Sequence, residues 1–361
     1  MVRAARRVVR VTRRTASQYL GVGHSRARGA SGHLHARLTK GEYWKRQYIP
    51  LLASYYRSGY SITLSPSLEF LDGPQGEEFA LLRSPWLRLR RNAPKGSLIL
   101  TDDKSAAERL HNSGERVGLV AVEDYTSDWG ASSLALPYMM HPSLYSPEKI
   151  ALSDSQAGSP ERDIKVFFAG NFKPGDYDEA RLVDKFSVET RIALKSRIES
   201  SFHAVTMWIK TWEEKEKLRN IDKPILIVDS NKAGLKYDEY FDLLGRSAFF
   251  LAMPGIASPN CHNLPEAMSR GCIPIIENAK WFDPLPFVSG VNCIEFRTAD
   301  GFVPAVREAL EMDEEATALL RAGVNEIWER FFQSSAIVRR VNEVIDSARD
   351  SLPVILIKPE S

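Results

Sequence analysis

Cysteine is scarce in this chain. Three residues of 361, Cys261, Cys272 and Cys293, lie within 33 positions and match no metal-ligand spacing such as C-x2-C. So few, and odd in number, they exclude a disulfide-stapled scaffold and point to a reducing, cytoplasmic setting in which they serve as small apolar residues. Long apolar runs are also missing. The longest, Ser247 to Ala257, is eleven residues with Pro254 and Gly255 inside it, short of the ~18 that a membrane-spanning helix needs. No G-x-S-x-G, H-E-x-x-H, P-loop or G-x-G-x-x-G pattern occurs, which removes the commonest serine hydrolase, zincin, NTPase and dinucleotide-binding readings.

Acid is absent from the first 40 residues, which hold nine Arg and one Lys; the remainder carries 38 basic against 46 acidic residues, a balance of −8. The net charge of +2 therefore hides a basic arm, expected over residues 1–40, joined to an acidic body. Such an arm attracts phosphate, and its expected partner is an anionic membrane at the inner, cytoplasmic face, with nucleic acid disfavoured. It lacks the apolar core of a secretory signal. An organelle transit peptide and a solvated tail without a partner share the composition.

What is present reads as a two-domain α/β protein, the length alone suggesting about two domains. The body is expected to begin at Glu42, with helical spacing from Tyr43 to Tyr55 and an extended run from Tyr60 to Leu64. Ser97–Thr101, Lys104–Asn112 and Val117–Val122 read as a βαβ unit. Pro137, Pro142, Pro147 and the polar stretch Ser153–Pro160 mark a linker over 146–162 between an acceptor-side domain (41–145) and a second domain (163–332). In the second half, apolar runs at 164–169, 224–228, 247–253, 273–276 and 291–296 alternate with helical segments at 188–200, 237–245, 265–270 and 302–311. A parallel sheet covered on both faces is expected. Residues from Glu314 to about Arg349 carry a helical stripe, and 333–361 is assigned to a closing helix and tail.

The most informative block runs from Tyr240 to Glu277. Pro265 suits a first helical position, with Asn263 or His262 as cap, so phosphate is favoured at that start. Glu266 falls in the first turn, where its carboxylate can accept ribose hydroxyls or simply favour the dipole. His262 can donate to phosphate, act as an acid or cap. Asp102 and Asp103 follow one strand of the first half, and Glu123 and Asp124 follow the next. Each is a candidate general base and equally an ordinary strand-end acid. Asp176-Tyr177-Asp178 matches the D-x-D of metal-binding transferases, but its loop context favours solvation, and no metal site is expected.

The run S-x-F-x-L followed by E-A-M-x-x-G-C-I-P-I-I resembles the donor-binding half of the exostosin-like glycosyltransferases. Val166-Phe-Phe-Ala-Gly170-Asn171 is similar to that family's F-x-G strand end, and Arg191-x-x-Leu194 to its R-x-x-L helix. The resemblance covers about residues 164–335 and none of the first 160. It implies a GT-B fold, two Rossmann-like domains with parallel sheets facing across a cleft. It also implies transfer of a sugar from a nucleotide-sugar donor, without a cofactor or metal, to a hydroxyl of a glycan or lipid-linked glycan in surface polysaccharide or glycoconjugate synthesis. Glu266 would hold the ribose, and Gly170, Asn171, Ser230, Pro254, Gly255, Asn260 and Asn263 would line the donor. The family usually has Arg where Asn263 stands, so Arg191, Lys195 or Lys173 would compensate the diphosphate. Ser258–Glu266 is also faintly similar to a segment of the α1,3-fucosyltransferases, another GT-B family. The alternative is a non-catalytic nucleotide- or glycan-binding protein of the same fold with a basic arm for lipid or nucleic acid.

Overall fold

The computed structural model describes residues 31–41, 48–67, 69–70, 82, 84–122, 132–146, 149, 162–177, 180–256, 258–348 and 350–357. The chain divides into two compact units, one holding residues up to Leu152 together with Gln333–Glu360, the other Ser153–Phe332.

The first unit opens with β1 (Gly32–Leu38), followed by α1 (Ile49–Arg57), β2 (Tyr60–Pro66), β3 (Leu87–Leu89), β4 (Leu98–Thr101), α2 (Lys104–Asn112), β5 (Val117–Val122) and β6 (Ser133–Leu136). β1 corrects the expected arm. Residues 32–38 lie inside the presumed 1–40 tail, yet they pair residue for residue with β2 and also with β4. Leu34, Ala36 and Leu38 are buried at alternate positions, the period-2 pattern of a strand. The arginines before residue 31 lie outside the described residues. Helix α1 starts six residues later than Tyr43, whose neighbourhood is likewise outside them, and buries Ile49, Leu51, Leu52 and Tyr55.

The second unit comprises β7 (Ile164–Gly170), α3 (Ala180–Phe186), α4 (Arg191–Ser201), β8 (Thr206–Ile209), β9 (Ile225–Asp229), α5 (Ser230–Ala233), α6 (Tyr237–Gly245), β10 (Ser247–Leu251), α7 (Asn263–Met268), β11 (Ile273–Glu277), β12 (Ile294–Phe296), α8 (Phe302–Glu311) and α9 (Glu314–Phe331). Its sheet has the order β12-β11-β10-β7-β9-β8, and its ladders are parallel. β9, β10 and β11 are buried along their whole lengths, because helices cover both faces of a parallel sheet. Edge strand β8 is only half buried. Phe167, Phe168 and Phe250 meet at 5.9–6.3 Å across the β7–β10 ladder and form the centre of this core.

The closing segment was expected to carry a helical stripe from Glu314 to about Arg349, with 333–361 as a closing helix and tail. It breaks at Phe332-Gln333 into α9 and α10 (Ser334–Ser347), and β13 (Val354–Ile357) follows. β13 enters the first sheet between β5 and β6, giving the order β3-β2-β1-β4-β5-β13-β6, again all parallel. Helix α10 packs on α1, and Asn342 accepts a hydrogen bond from the Tyr55 hydroxyl at 3.1 Å. The protein thus forms two Rossmann-like α/β units on parallel sheets. Among the described residues, no helix is long and apolar enough to cross a membrane.

Candidate functional site

In an open parallel sheet, ligands bind beyond the carboxyl ends of the strands, where connections on either side of a central strand diverge. In the second unit that point lies between β7 and β10, since β7 carries β9 on its other flank. Several residues singled out in the sequence converge there. Gly170 ends β7, and a Cβ on it would come within 2.6 Å of the Phe168 ring and 3.2 Å of the Arg191 guanidinium. Only glycine lets those two groups close over the strand end.

Arg191 is the hub. It is the first residue of α4, capped by Thr190, whose Oγ1 accepts from the Ala193 amide at 3.2 Å. Only 2% of it is exposed. Its Nε and Nη2 donate to the Pro254 carbonyl beyond β10 at 3.0 and 2.6 Å, and Nη1 donates to the Asn171 carbonyl beyond β7 at 3.0 Å. Its charge lies 4.0 Å from the centre of the Tyr177 ring and 5.3 Å from that of Phe168. These contacts engage the group that was expected to compensate a donor diphosphate. The guanidinium is spent on backbone carbonyls and aromatic faces, and it fixes the two strand ends relative to each other.

Asn263 does parallel work. It opens α7, donates from Nδ2 to the Ala169 carbonyl at 3.0 Å, and accepts from the Cys261 thiol at 2.8 Å. Its side chain thus ties α7 to the end of β7. Helix α7 begins two residues before Pro265 and has six residues, with no side-chain cap from His262. A helix this short contributes little dipole, so anion binding cannot rest on it. His262 is half buried beside Cys261. Glu266 is 1% exposed on the first turn. The hydroxyl of Tyr240, on the adjacent α6, is buried with no hydrogen-bond partner among the described residues. Burial first, and then the neighbouring Glu266 and Cys261, hold its pKa well above the ordinary phenol value.

Other residues are not gathered here. Lys173 lies on an exposed loop and pairs with Asp176 at 3.0 Å, while Asp178 is outside the described residues. Lys195 is drawn to Glu199 at 3.1 Å. Ser230 begins the short α5, after Asp229, whose carboxylate caps Lys232. The Gly255 amide donates to Ser258, and Asn260 donates to the Trp281 carbonyl at 3.0 Å, which fastens the loop after β10 to the turn after β11. Among the described residues, no group of three or more His, Cys, Asp or Glu is placed to hold a metal. Cys272 and Cys293 are buried, and burial pushes their thiols to about 11 and about 12.

In the first unit the analogous point lies between β1 and β4. Asp102 sits there, but its carboxylate accepts from the Thr39 amide at 2.8 and 3.0 Å, the Thr39 hydroxyl at 2.9 Å, the Lys40 amide at 2.8 Å and the Tyr48 hydroxyl at 2.9 Å. With its lone pairs taken by four donors, Asp102 is a clamp on the loop after β1 and not a free base. Asp103 caps α2 by accepting from Ala106 at 3.0 Å. Glu123 and Asp124 lie outside the described residues.

One acid at the ligand edge escaped the sequence reading. Glu277 ends β11 at 6% exposure, and its Oε2 accepts from the Glu189 amide at 2.8 Å. Burial pushes its pKa up to about 7. The signal was present in the charged residue closing the apolar run Ile273–Ile276, the same signal that drew attention to the strand-end acids of the first half.

No protein-family model matches the chain, and no curated protein matches it. Solved structures similar to it include HepE of Anabaena in complex with UDP-glucose, at 12% identity and a TM-score of 0.47, covering 87% of this chain and 99% of that one. A glycosyltransferase from Rickettsia africae is similar at 8% identity and a TM-score of 0.45, covering 89% and 100%. TarM of S. aureus, in a complex containing UDP, is similar at 10% identity and a TM-score of 0.39, covering 82% and 58%. Likeness at this level concerns chain topology.

Proposed function

We propose that the protein is a glycosyltransferase that binds a nucleotide-sugar donor at the carboxyl edge of the second sheet. The donor sugar is passed to a hydroxyl of a glycan or lipid-linked glycan. One observation carries the reading: Glu266, 1% exposed, is set on the first turn of a helix whose opening residue, Asn263, is hydrogen-bonded to the end of β7. A carboxylate on that first turn would be suited to accept both hydroxyls of a ribose, as in nucleotide sites of open α/β sheets. The exostosin-like resemblance of the same segment supports this assignment. Gly170 and Asn171 would flank the diphosphate at the end of β7, and the rigid Arg191 bracket would hold that strand end against the end of β10 without moving on binding.

An inverting reaction needs a base for the acceptor hydroxyl, and Glu123 and Asp124 remain the candidates once Asp102 and Asp103 are committed elsewhere; a retaining reaction does not. That commitment also favours a second reading, a nucleotide-binding protein that transfers nothing.

The test is thermal stabilisation by UDP-, GDP- and ADP-sugars, followed by turnover of the stabilising donor with and without EDTA. A ligand at 100 times its dissociation constant contributes about 2.7 kcal/mol. Glu266→Ala is expected to weaken binding by roughly ten- to a hundredfold in a folded protein, the loss of charge-assisted hydrogen bonds. Unchanged affinity in that variant overturns the site. Binding without transfer or donor hydrolysis selects the second reading.

A further inference from the structure

Among the strand-end acids of the second unit, Asp229 is engaged with Lys232, through its amide and its ammonium group, 3.5 Å away. Glu277 is different. It makes no ion pair among the described residues. One carboxyl oxygen is pinned by the Glu189 amide, two residues before the Arg191 bracket, and the other takes no hydrogen bond from described residues. Asn278 follows immediately with φ 58°, a conformation that non-glycine residues rarely hold, and its amide donates to the Phe296 carbonyl at the end of β12 at 2.9 Å. The turn that follows is fastened through the Trp281 carbonyl to Asn260 on the loop after β10. Glu277 thus ends the strand next to β10, held on one oxygen by the Glu189 amide and with its second oxygen uncommitted among the described residues.

We propose that Glu277 contacts the donor, its uncommitted oxygen carrying a proton and donating a hydrogen bond to an oxygen of the diphosphate. The inference rests on the reading that a nucleotide sugar binds at this edge. A carboxylate there would repel the diphosphate, whereas a carboxylic acid supplies a donor without adding charge. Binding must then draw one proton from solvent onto Glu277, with no bond made or broken to carbon or phosphorus. The charged groups facing Glu277 are few. Burial raises its proton affinity, the hydrogen bond from the Glu189 amide lowers it, the Glu189 carboxylate raises it and Arg197 of α4 lowers it. On β12, Glu295 accepts from the Ala279 amide and pairs with the exposed Arg297, whereas α8 and α9 turn Phe302, Val306, Leu320 and Val324 inward. With a free-state pKa of about 7, the group is mostly ionised at pH 8 and has room to take up the proton.

The probe is the best stabiliser among UDP-glucose, GDP-mannose and ADP-glucose, diphosphate diesters that do not titrate near neutrality. Calorimetry at pH 8 in buffers of different ionisation enthalpy is expected to show uptake approaching one proton per nucleotide, with affinity falling by up to tenfold per pH unit above about 7. Glu277→Gln keeps a donor at that position, so it is expected to bind with no uptake and a flat pH profile. His262→Asn, which removes the histidine just before α7, is expected to leave the uptake in place. Binding with no uptake, or uptake that survives Glu277→Gln, overturns the proposal while leaving the nucleotide site standing. Binding of none of the three probes overturns the nucleotide site and this inference with it. A folded Glu277→Gln variant is established by an unchanged circular dichroism spectrum.

Discussion

Arg191 donates twice to the carbonyl oxygen of Pro254, a residue 63 positions away, and its third bond reaches Asn171. The ends of β7 and β10, whose separation sets the width of any site between them, are thereby locked by one buried cation. A buried guanidinium without a carboxylate is stable only while its donors are satisfied, so the bracket is all or none.

Arg191→Ala is therefore expected to destabilise the second unit by about 3 to 5 kcal/mol, because three strand-end carbonyl contacts and the ring contacts disappear together. Arg191→Lys is expected to recover less than half of this, since a single ammonium cannot span both carbonyls. Urea unfolding measures both. A variant of full stability with lost donor affinity would return Arg191 to the diphosphate.

Asp102→Asn is expected to cost about 2 to 3 kcal/mol in the first unit while leaving donor affinity intact. The amide cannot accept from the Thr39 hydroxyl, the Thr39 and Lys40 amides and Tyr48 at once. Loss of turnover without loss of stability would restore Asp102 as a base.

The two units are expected to respond to pH in opposite directions. His35 on β1 is fully buried, and burial lowers its pKa to about 4 from an ordinary 6.5. The unfolded chain takes the proton first, so this unit loses stability, by up to about 3 kcal/mol, as pH falls from 6.5 to 4. Glu277, raised to about 7, binds its proton more tightly when folded, so its unit loses stability, by up to about 3 kcal/mol, as pH rises from 4.5 to 7. Proteolytic susceptibility of each unit at pH 5 and pH 8 reads this out. His35→Gln and Glu277→Gln are each expected to flatten one slope, and two unchanged slopes would refute the assignment.

Deletion of residues 2–29 is expected to spare the fold and donor binding while abolishing salt-sensitive flotation with anionic liposomes, if the eight arginines it removes hold the protein at such a surface. Deletion of residues 2–40 removes β1 from the centre of the first sheet and is expected to unfold that unit. A full-length protein that ignores anionic vesicles at low salt refutes the tether.

Much of the fold is legible in the sequence. Lys104–Asn112, Val117–Val122, Tyr237–Gly245 and Phe302–Glu311 form elements at the limits their periodicity suggests. β1 was hidden because two histidines and Arg37 alternate with its Leu and Ala, and an acid-free stretch draws attention to charge before pattern. β13 reads plainly as an apolar run, Val354 to Ile357, yet nothing local says that it pairs with Val117–Val122 more than 200 residues earlier. The candidate site divides in the same way. Gly170, Glu266 and Asn263 were found by motif, but the partners Pro254, Ala169 and Thr39 that give Arg191, Asn263 and Asp102 their roles are 63 to 94 positions distant.

The sequence by itself determined the α/β class, the alternation that forces parallel sheets, and the acid placed just after the β10 loop, because periodicity and strand-end chemistry are local properties of the chain. Only the tertiary structure decided which charged groups remain available. Arg191 and Asp102 looked like reactive ends and became internal ties, since backbone groups from remote strands claimed their hydrogen bonds. Glu277 looked like the end of a strand and became a buried acid with no ion pair among the described residues. A charge is committed or left uncommitted by what folds against it, and that depends on contacts between residues far apart in the chain.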